Sequence, residues 1–373
     1  MRPFATFVWI RLLLWAGTAL ALLWAPLAKE RAPAERAWGP LSDLFFGTFV
    51  QWDARWFLEI ARNGYDETSA AFFPLYPLVL HVLGSTIVTG TLVSLVAGGI
   101  AAVAVARIAP QLAGDAVLLL ALFPTAYVFS AVYSDGLFLA LSAWAFLFAQ
   151  RGRAVPAGIA GGLACATRLL GLALLPALVL LLWPRRREDA WRLAPLLLLP
   201  LAVAAYALYL DRKLGDPLAF SSAQLQWERE TPPLGPVTGL WWAIEAGGHG
   251  AREVLGGLPR GQGFTQAQQV GFWNATHLVL LAVASWLTWV AWRRVSRAAG
   301  LYSLATLLVV LSAPSRGFPL VSLPRFLLAD FPIVLATAAL VEGRPRARQW
   351  VLVGFGAACA VAGVAFSRGT WVA

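Results

Sequence analysis

Long apolar runs alternate with short basic ones along most of the chain. Phe4 to Leu27, Thr86 to Ile108, Asp115 to Val132, Gly136 to Ala149, Trp191 to Leu210, Ala275 to Trp292, Ala298 to Leu311, Phe326 to Val341 and Trp350 to Phe366 read as helices that cross or part-cross a bilayer. Phe4 to Leu27 has features of a signal peptide, with Arg2 before it and Ala25 and Ala28 flanking Pro26, but it is long enough to span and many spans follow it. The run between Arg153 and Arg185 is about 45 Å long as a helix, too short for two full crossings of about 30 Å. Two short helices meeting at Thr167-Arg168 account for it, and so does one long tilted helix. Phe72 to Leu83 is dense in proline, a poor crossing helix and a good surface or re-entrant one. The expectation is an all-α polytopic membrane protein with about eleven transmembrane or part-crossing helices. The short alternating segments of a β-barrel are absent.

One stretch breaks the pattern. Read at about 100° per residue, Gln51 to Tyr65 puts Trp56, Phe57, Ile60 and Ala61 on one helix face and Arg55, Glu59, Arg62 and Asn63 on the other. Asp53 falls in the middle of the apolar face. A carboxylate there is costly to desolvate without partners or a task. Asp53 also suits a helix N-cap, although no Glu or Gln stands three residues on to complete a capping box.

Composition sharpens the class. Apolar residues make up 59% of the chain and charged ones 13%, which excludes an ordinary soluble domain. The formal charge of +10 is almost wholly arginine, since Lys29 and Lys213 are the only lysines. In a soluble protein that excess would suggest nucleic acid. Here the arginines cluster in short loops, at Arg151/Arg153, Arg185-Arg186-Arg187, Arg293/Arg294/Arg297 and Arg344/Arg346/Arg348, with Arg2 and Arg11 at the start. That is the positive-inside bias, so these loops are expected in the cytoplasm and no nucleic-acid partner is expected. The same bias favours the hairpin at Thr167-Arg168. Parity then leaves two outer loops, 28–85 and 211–274, in one membrane domain spanning 1–373. It also gathers Asp53, Asp135, Arg168, Trp227, Arg316 and Arg325 on the outer face. Cys165 and Cys359 lie in apolar segments, and His81, His249 and His277 are scattered, so neither a disulfide nor a metal site is read.

The 51–65 stretch also carries a resemblance. Trp52-Asp53-Ala54, Phe57, Ile60-Ala61 and Gly64-Tyr65, followed by Phe72-Phe73-Pro74-Leu75-Tyr76-Pro77, resemble the PIG-V family of integral-membrane mannosyltransferases of the GT-C class. Further matches are Phe123-Pro124-Thr125, Tyr133-Ser134-Asp135, Ala166-Thr167-Arg168, Gly215 to Phe220 and Pro324-Arg325-Phe326. The family pattern usually has Glu where this chain has Asp135, which shortens that carboxylate's reach. The resemblance implies a GT-C fold with amphipathic helices in the first outer loop. It also implies mannosyl transfer from a polyprenyl-phosphate sugar, in a bacterial plasma membrane.

The residues suit such chemistry. Trp52, Trp56, Tyr76, Trp227, Trp241 and Trp242 offer aromatic faces to sugar C–H surfaces, although most tryptophans near membrane ends form an interfacial belt. Gln224 joins Trp227 in a polar loop, and Arg55 and Tyr133 neighbour the two carboxylates. Arg168 and Arg325 are the candidates for a lipid phosphate, because a guanidinium donates in a fork and keeps its charge. Helix capping explains Asp135 about as well as substrate contact does. There is no Gly-rich phosphate loop and no Asp-x-Asp pair, so a metal-independent, cofactor-free, inverting transfer with Asp53 as general base is expected. The acceptor would be a glycolipid, a glycan or a protein, and membrane lipids surround the chain. The alternative class is a lipid-phosphate or glycolipid transporter or flippase. It calls for internal repeats and midplane ionisable groups. No convincing repeat is found, and Asp330, the one carboxylate well inside a span, stands within pairing reach of Arg325.

Overall fold

The computed structural model describes residues 2–24, 39–184, 186–257 and 265–370. Arg185, the start of the first expected outer loop at 28–38 and the end of the first span at Leu27 lie outside the described residues. Among these residues seventeen α-helices follow one another: α1 Pro3–Trp24, α2 Pro40–Phe45, α3 Asp53–Asn63, α4 Leu75–Val82, α5 Ile87–Ile108, α6 Ala113–Leu122, α7 Asp135–Gln150, α8 Ala154–Thr167, α9 Leu174–Leu182, α10 Leu198–Leu214, α11 Ala219–Ser222, α12 Pro236–Gly256, α13 Gln266–Val290, α14 Arg297–Ser312, α15 Leu323–Ala329, α16 Phe331–Val341 and α17 Pro345–Ser367.

Among the described residues, five helical stretches are long and apolar enough to cross a membrane: α1, α5, the 187–214 stretch ending in α10, the 266–295 stretch beginning with α13, and α17. The α15–α16 pair, bent by 77°, makes a sixth, and five shorter apolar helices complete the set. The chain is an integral membrane protein, and the set equals in number the eleven crossing or part-crossing helices expected, although the helix expected over Asp115 to Val132 already ends at Leu122. Helix α4, in the proline-dense stretch, has eight residues. At about 12 Å it cannot cross.

The Arg153–Arg185 run folds back on itself. Helix α8 stops at Thr167, Arg168 takes an extended conformation, and a 3-10 turn, Leu169–Ala173, leads into α9. Gly158 packs on Pro195, and Gly161 and Gly162 pack on Leu199 and Leu198, so α8 and α10 run side by side in the same direction. The intervening α9 therefore returns the chain, which puts Arg168 at the turn.

Three expectations need correction. The loop expected to run from Asp211 to Asn274 is shorter, because α10 continues to Leu214 and α13 begins at Gln266. Thr265 and Gln268 form a reciprocal capping box that starts α13 nine residues before the apolar run. Within the remaining loop, α12 packs along α13, with Gly250 against Gly271. Arg11 is not a loop charge: it is buried within α1, where its guanidinium donates to the Ala121 carbonyl, Ser130 Oγ and Cys359 Sγ, each at 3.2 Å. Asp330 does not pair with Arg325. It sits at the α15–α16 bend and accepts a 2.6 Å hydrogen bond from Ser303.

Candidate active site

At one end of the bundle, Asp115 at the start of α6 binds Arg348 at the start of α17, at 2.6 Å. The chemically suggestive residues gather elsewhere, where α3, α7, α8 and α15 begin or end.

Asp53 is the first residue of α3, and Trp52 before it caps no backbone group with its side chain. The wheel's division of α3 holds: Phe57, Ile60 and Ala61 are buried, and Arg55, Glu59, Arg62 and Asn63 are exposed. Asp53 Oδ2 accepts from Arg325 Nη1 at 2.8 Å, linking residues far apart in sequence. Arg325 Nη2 donates to Asp135 Oδ2 at 3.2 Å, and Arg168 Nη1 donates to Asp135 Oδ1 at 2.6 Å. Asp135 is 1% exposed. It makes no cap on α7 and holds two guanidiniums at once, so its shorter side chain reaches far enough. Gly136 makes this seat possible, since a methyl group there would collide with the Ser94 carbonyl on α5.

The short motifs lock to one another around this chain of charges. Tyr76 donates to the Gly90 carbonyl at 3.0 Å and pairs with Ser94 Oγ at 3.1 Å; Ser94 Oγ in turn donates to the Tyr133 carbonyl at 2.8 Å. The Tyr133 hydroxyl donates to the Gln51 carbonyl at 3.1 Å, and its ring lies 4.6 Å from the Arg325 guanidinium carbon. Thr125 Oγ1 donates to the Pro324 carbonyl at 3.0 Å and so anchors the start of α15. Asp216 accepts from the Leu218 amide and from Ser222, which closes the turn into α11, and Phe220 then packs on Phe73.

A cavity of about 730 Å³ opens beside this chain. Trp52, Asp53, Trp56, Tyr133, Arg168, Gln224, Trp227 and Arg325 all line it. Trp56, Phe72 and Trp227 form one aromatic cluster in its wall, with ring centroids 5.7–6.4 Å apart. Leu169, Leu170, Val309, Val310 and Ala313 make an apolar wall. The volume is that of a small-molecule pocket.

Several expected site residues are not in that lining. Tyr76 is fully buried, and its hydroxyl is committed to α5, so it is a core residue. Arg55 lies on the exposed face of α3, because the helix register that turns Asp53 inward turns Arg55 out. Asp135 sits behind the arginines, with no surface in the cavity. Arg316 holds Glu230 through two bonds, of 2.8 and 3.1 Å, and lies over Trp242. Trp241 and Trp242 lie on α12, away from the cavity lining.

The structure adds Arg229, which sequence reasoning missed. It lines the cavity, donates to the Val321 carbonyl at 3.0 Å and lies 5.7 Å from the Phe326 ring, beside which Arg168 also sits at 5.9 Å. Its backbone forms an isolated antiparallel bridge with Ser315. Burial, then the Arg325 guanidinium, pull its pKa down to about 10, so it stays charged at neutral pH. Three guanidiniums thus face two carboxylates, leaving one positive charge over; Glu230 is matched by Arg316.

Residues 8–109 match the family profile of Mannosyltransferase (PIG-V). No curated protein sequence matches the chain. Among solved structures, ArnT from Cupriavidus metallidurans, crystallised with undecaprenyl phosphate, is similar over 94% of this chain at 16% identity, with a TM-score of 0.52. The chain spans 62% of the length of that structure. In its amino-terminal part the chain is similar to the PIG-V mannosyltransferases, and its fold is the GT-C membrane fold that it shares with ArnT.

Proposed function

We propose that the cavity transfers a glycosyl residue, mannosyl by family likeness, from a polyprenyl-phosphate sugar to an acceptor hydroxyl. The observation that carries this reading is the pairing of a cavity-facing carboxylate, Asp53, with a cluster holding one positive charge in excess. The carboxylate suits an acceptor hydroxyl and the excess charge suits one phosphate. The apolar wall continues into Leu169 and Leu225, which line the cavity and are also exposed, as a lipid tail entering sideways from the bilayer requires.

In the proposed step, Asp53 takes the proton from the acceptor hydroxyl as its oxygen bonds to the anomeric carbon. The bond from that carbon to the phosphate oxygen breaks, and its electron pair leaves with the phosphate. Attack opposite the leaving group inverts the centre. The departing charge is met by guanidinium, so the step calls on no general acid and no metal. Arg325, held by Asp135, fixes Asp53 in place. The site would face the outer side of a bacterial plasma membrane, because the arginine-rich loops would occupy the cytoplasmic end.

Arg229 is assigned to the donor phosphate, since its charge has no carboxylate matched to it. Arg229→Gln should weaken donor use at least tenfold, chiefly in KM, and Arg229→Lys should retain part of it. An unchanged KM in Arg229→Gln removes the residue from the donor site. The whole reading is tested by adding candidate polyprenyl-phosphate sugars and acceptors to the purified protein in liposomes. Formation of glycosylated acceptor is expected, and lipid translocation without transfer would favour the flippase class instead.

A further inference from the structure

Trp52 holds a backbone conformation that belongs to glycine. Its φ of 52° and ψ of −113° put a bulky side chain where steric clash makes a non-glycine residue an outlier. Among the described residues the same turn opens one other helix. Gly235, immediately before α12, has φ 51° and ψ −121°, and there the chain uses glycine. The turn itself therefore does not call for an indole. Nor does core packing, because Trp52 is 44% exposed. What sets Trp52 apart from Gly235 is its place in the cavity lining, directly before Asp53.

We propose that Trp52 is a stacking platform for the sugar being transferred, and that its strained backbone is kept because this turn sets the indole beside Asp53. Strain of this kind persists at sites where geometry matters more than stability. An indole face suits the C–H surface of a sugar ring, and a ring lying on it would be next to the carboxylate. The inference rests on the glycosyl-transfer reading and adds to it a residue that discriminates sugar-bearing lipid from bare lipid phosphate.

The strain and the platform have separate readouts. At an ordinary N-cap glycine already outranks alanine, by an amount worth about 2 °C. At a positive φ the gap should widen, so Trp52→Gly should melt at least about 4 °C above Trp52→Ala. A gap of about 2 °C or less would overturn the strain argument. For the platform, binding of a short-chain polyprenyl phosphate and of the same lipid carrying mannose is compared in detergent. Trp52→Gly and Trp52→Ala should bind the sugar-bearing lipid at least about tenfold more weakly than wild type and the bare phosphate equally well, while Trp52→Phe retains most of the preference. Equal binding of the sugar-bearing lipid by wild type and Trp52→Gly sinks the platform alone. A wild-type protein that binds neither lipid sinks the glycosyl-transfer reading and the platform with it.

Discussion

Asp53→Asn should lower the transfer rate at least about a hundredfold while the protein still folds and still binds donor lipid. Asparagine keeps the shape and can accept from Arg325, but it cannot take a proton from an acceptor hydroxyl at neutral pH. Asp53 is the carboxylate of the cluster that faces the cavity, at 29% side-chain exposure against 1% for Asp135. Because Arg325 keeps its bond to Asp135, the cost in stability should be near 1 kcal/mol. Single-turnover measurements with pre-bound donor separate the two roles. Turnover like the wild type in Asp53→Asn would falsify the general-base assignment. Lost donor binding would show that Asp53 acts by holding Arg325.

Asp135→Ala should be the most destabilising change in the site, at about 3–5 kcal/mol, because it leaves the buried Arg325 and the half-buried Arg168 side by side without their shared carboxylate. Asp135→Asn should lie between alanine and the native residue, since one amide oxygen accepts but no charge is restored. A mere cap predicts something else: about 1 kcal/mol for alanine and close to nothing for asparagine. Thermal unfolding of both variants decides the matter, and a silent Asp135→Asn would return the residue to a capping role.

The spans were legible because lipid demands apolar length, and the turn at Arg168 was legible because the run was too short for two crossings. Asp53 stood out by sitting on the wrong face of α3. What the sequence hid was partnership. Asp53 and Arg325 are separated by most of the chain, and no local pattern says which carboxylate takes which guanidinium. Tyr76 looked like a sugar-binding aromatic because a motif does not say where its hydroxyl points, and it points to Ser94. Arg229 was masked by Glu228 and Glu230, which make the segment read as a solvated run of mixed charge. Arg11 looked like an anchor at the membrane surface, yet the carbonyl of Ala121, one residue before α6 ends, lies within its reach.

The uneven count of guanidiniums and carboxylates bears on turnover. On the proposed reaction the donor is a phosphodiester with a single negative charge. The spent lipid is a monoester, which carries about −1.5 to −2 near neutral pH. A pocket with one unmatched positive charge, walled by apolar side chains, balances the loaded carrier and leaves the second charge of the spent one without a partner. The transfer thus creates the charge that drives its own product out. Bare lipid phosphate should accordingly compete only weakly with fresh donor.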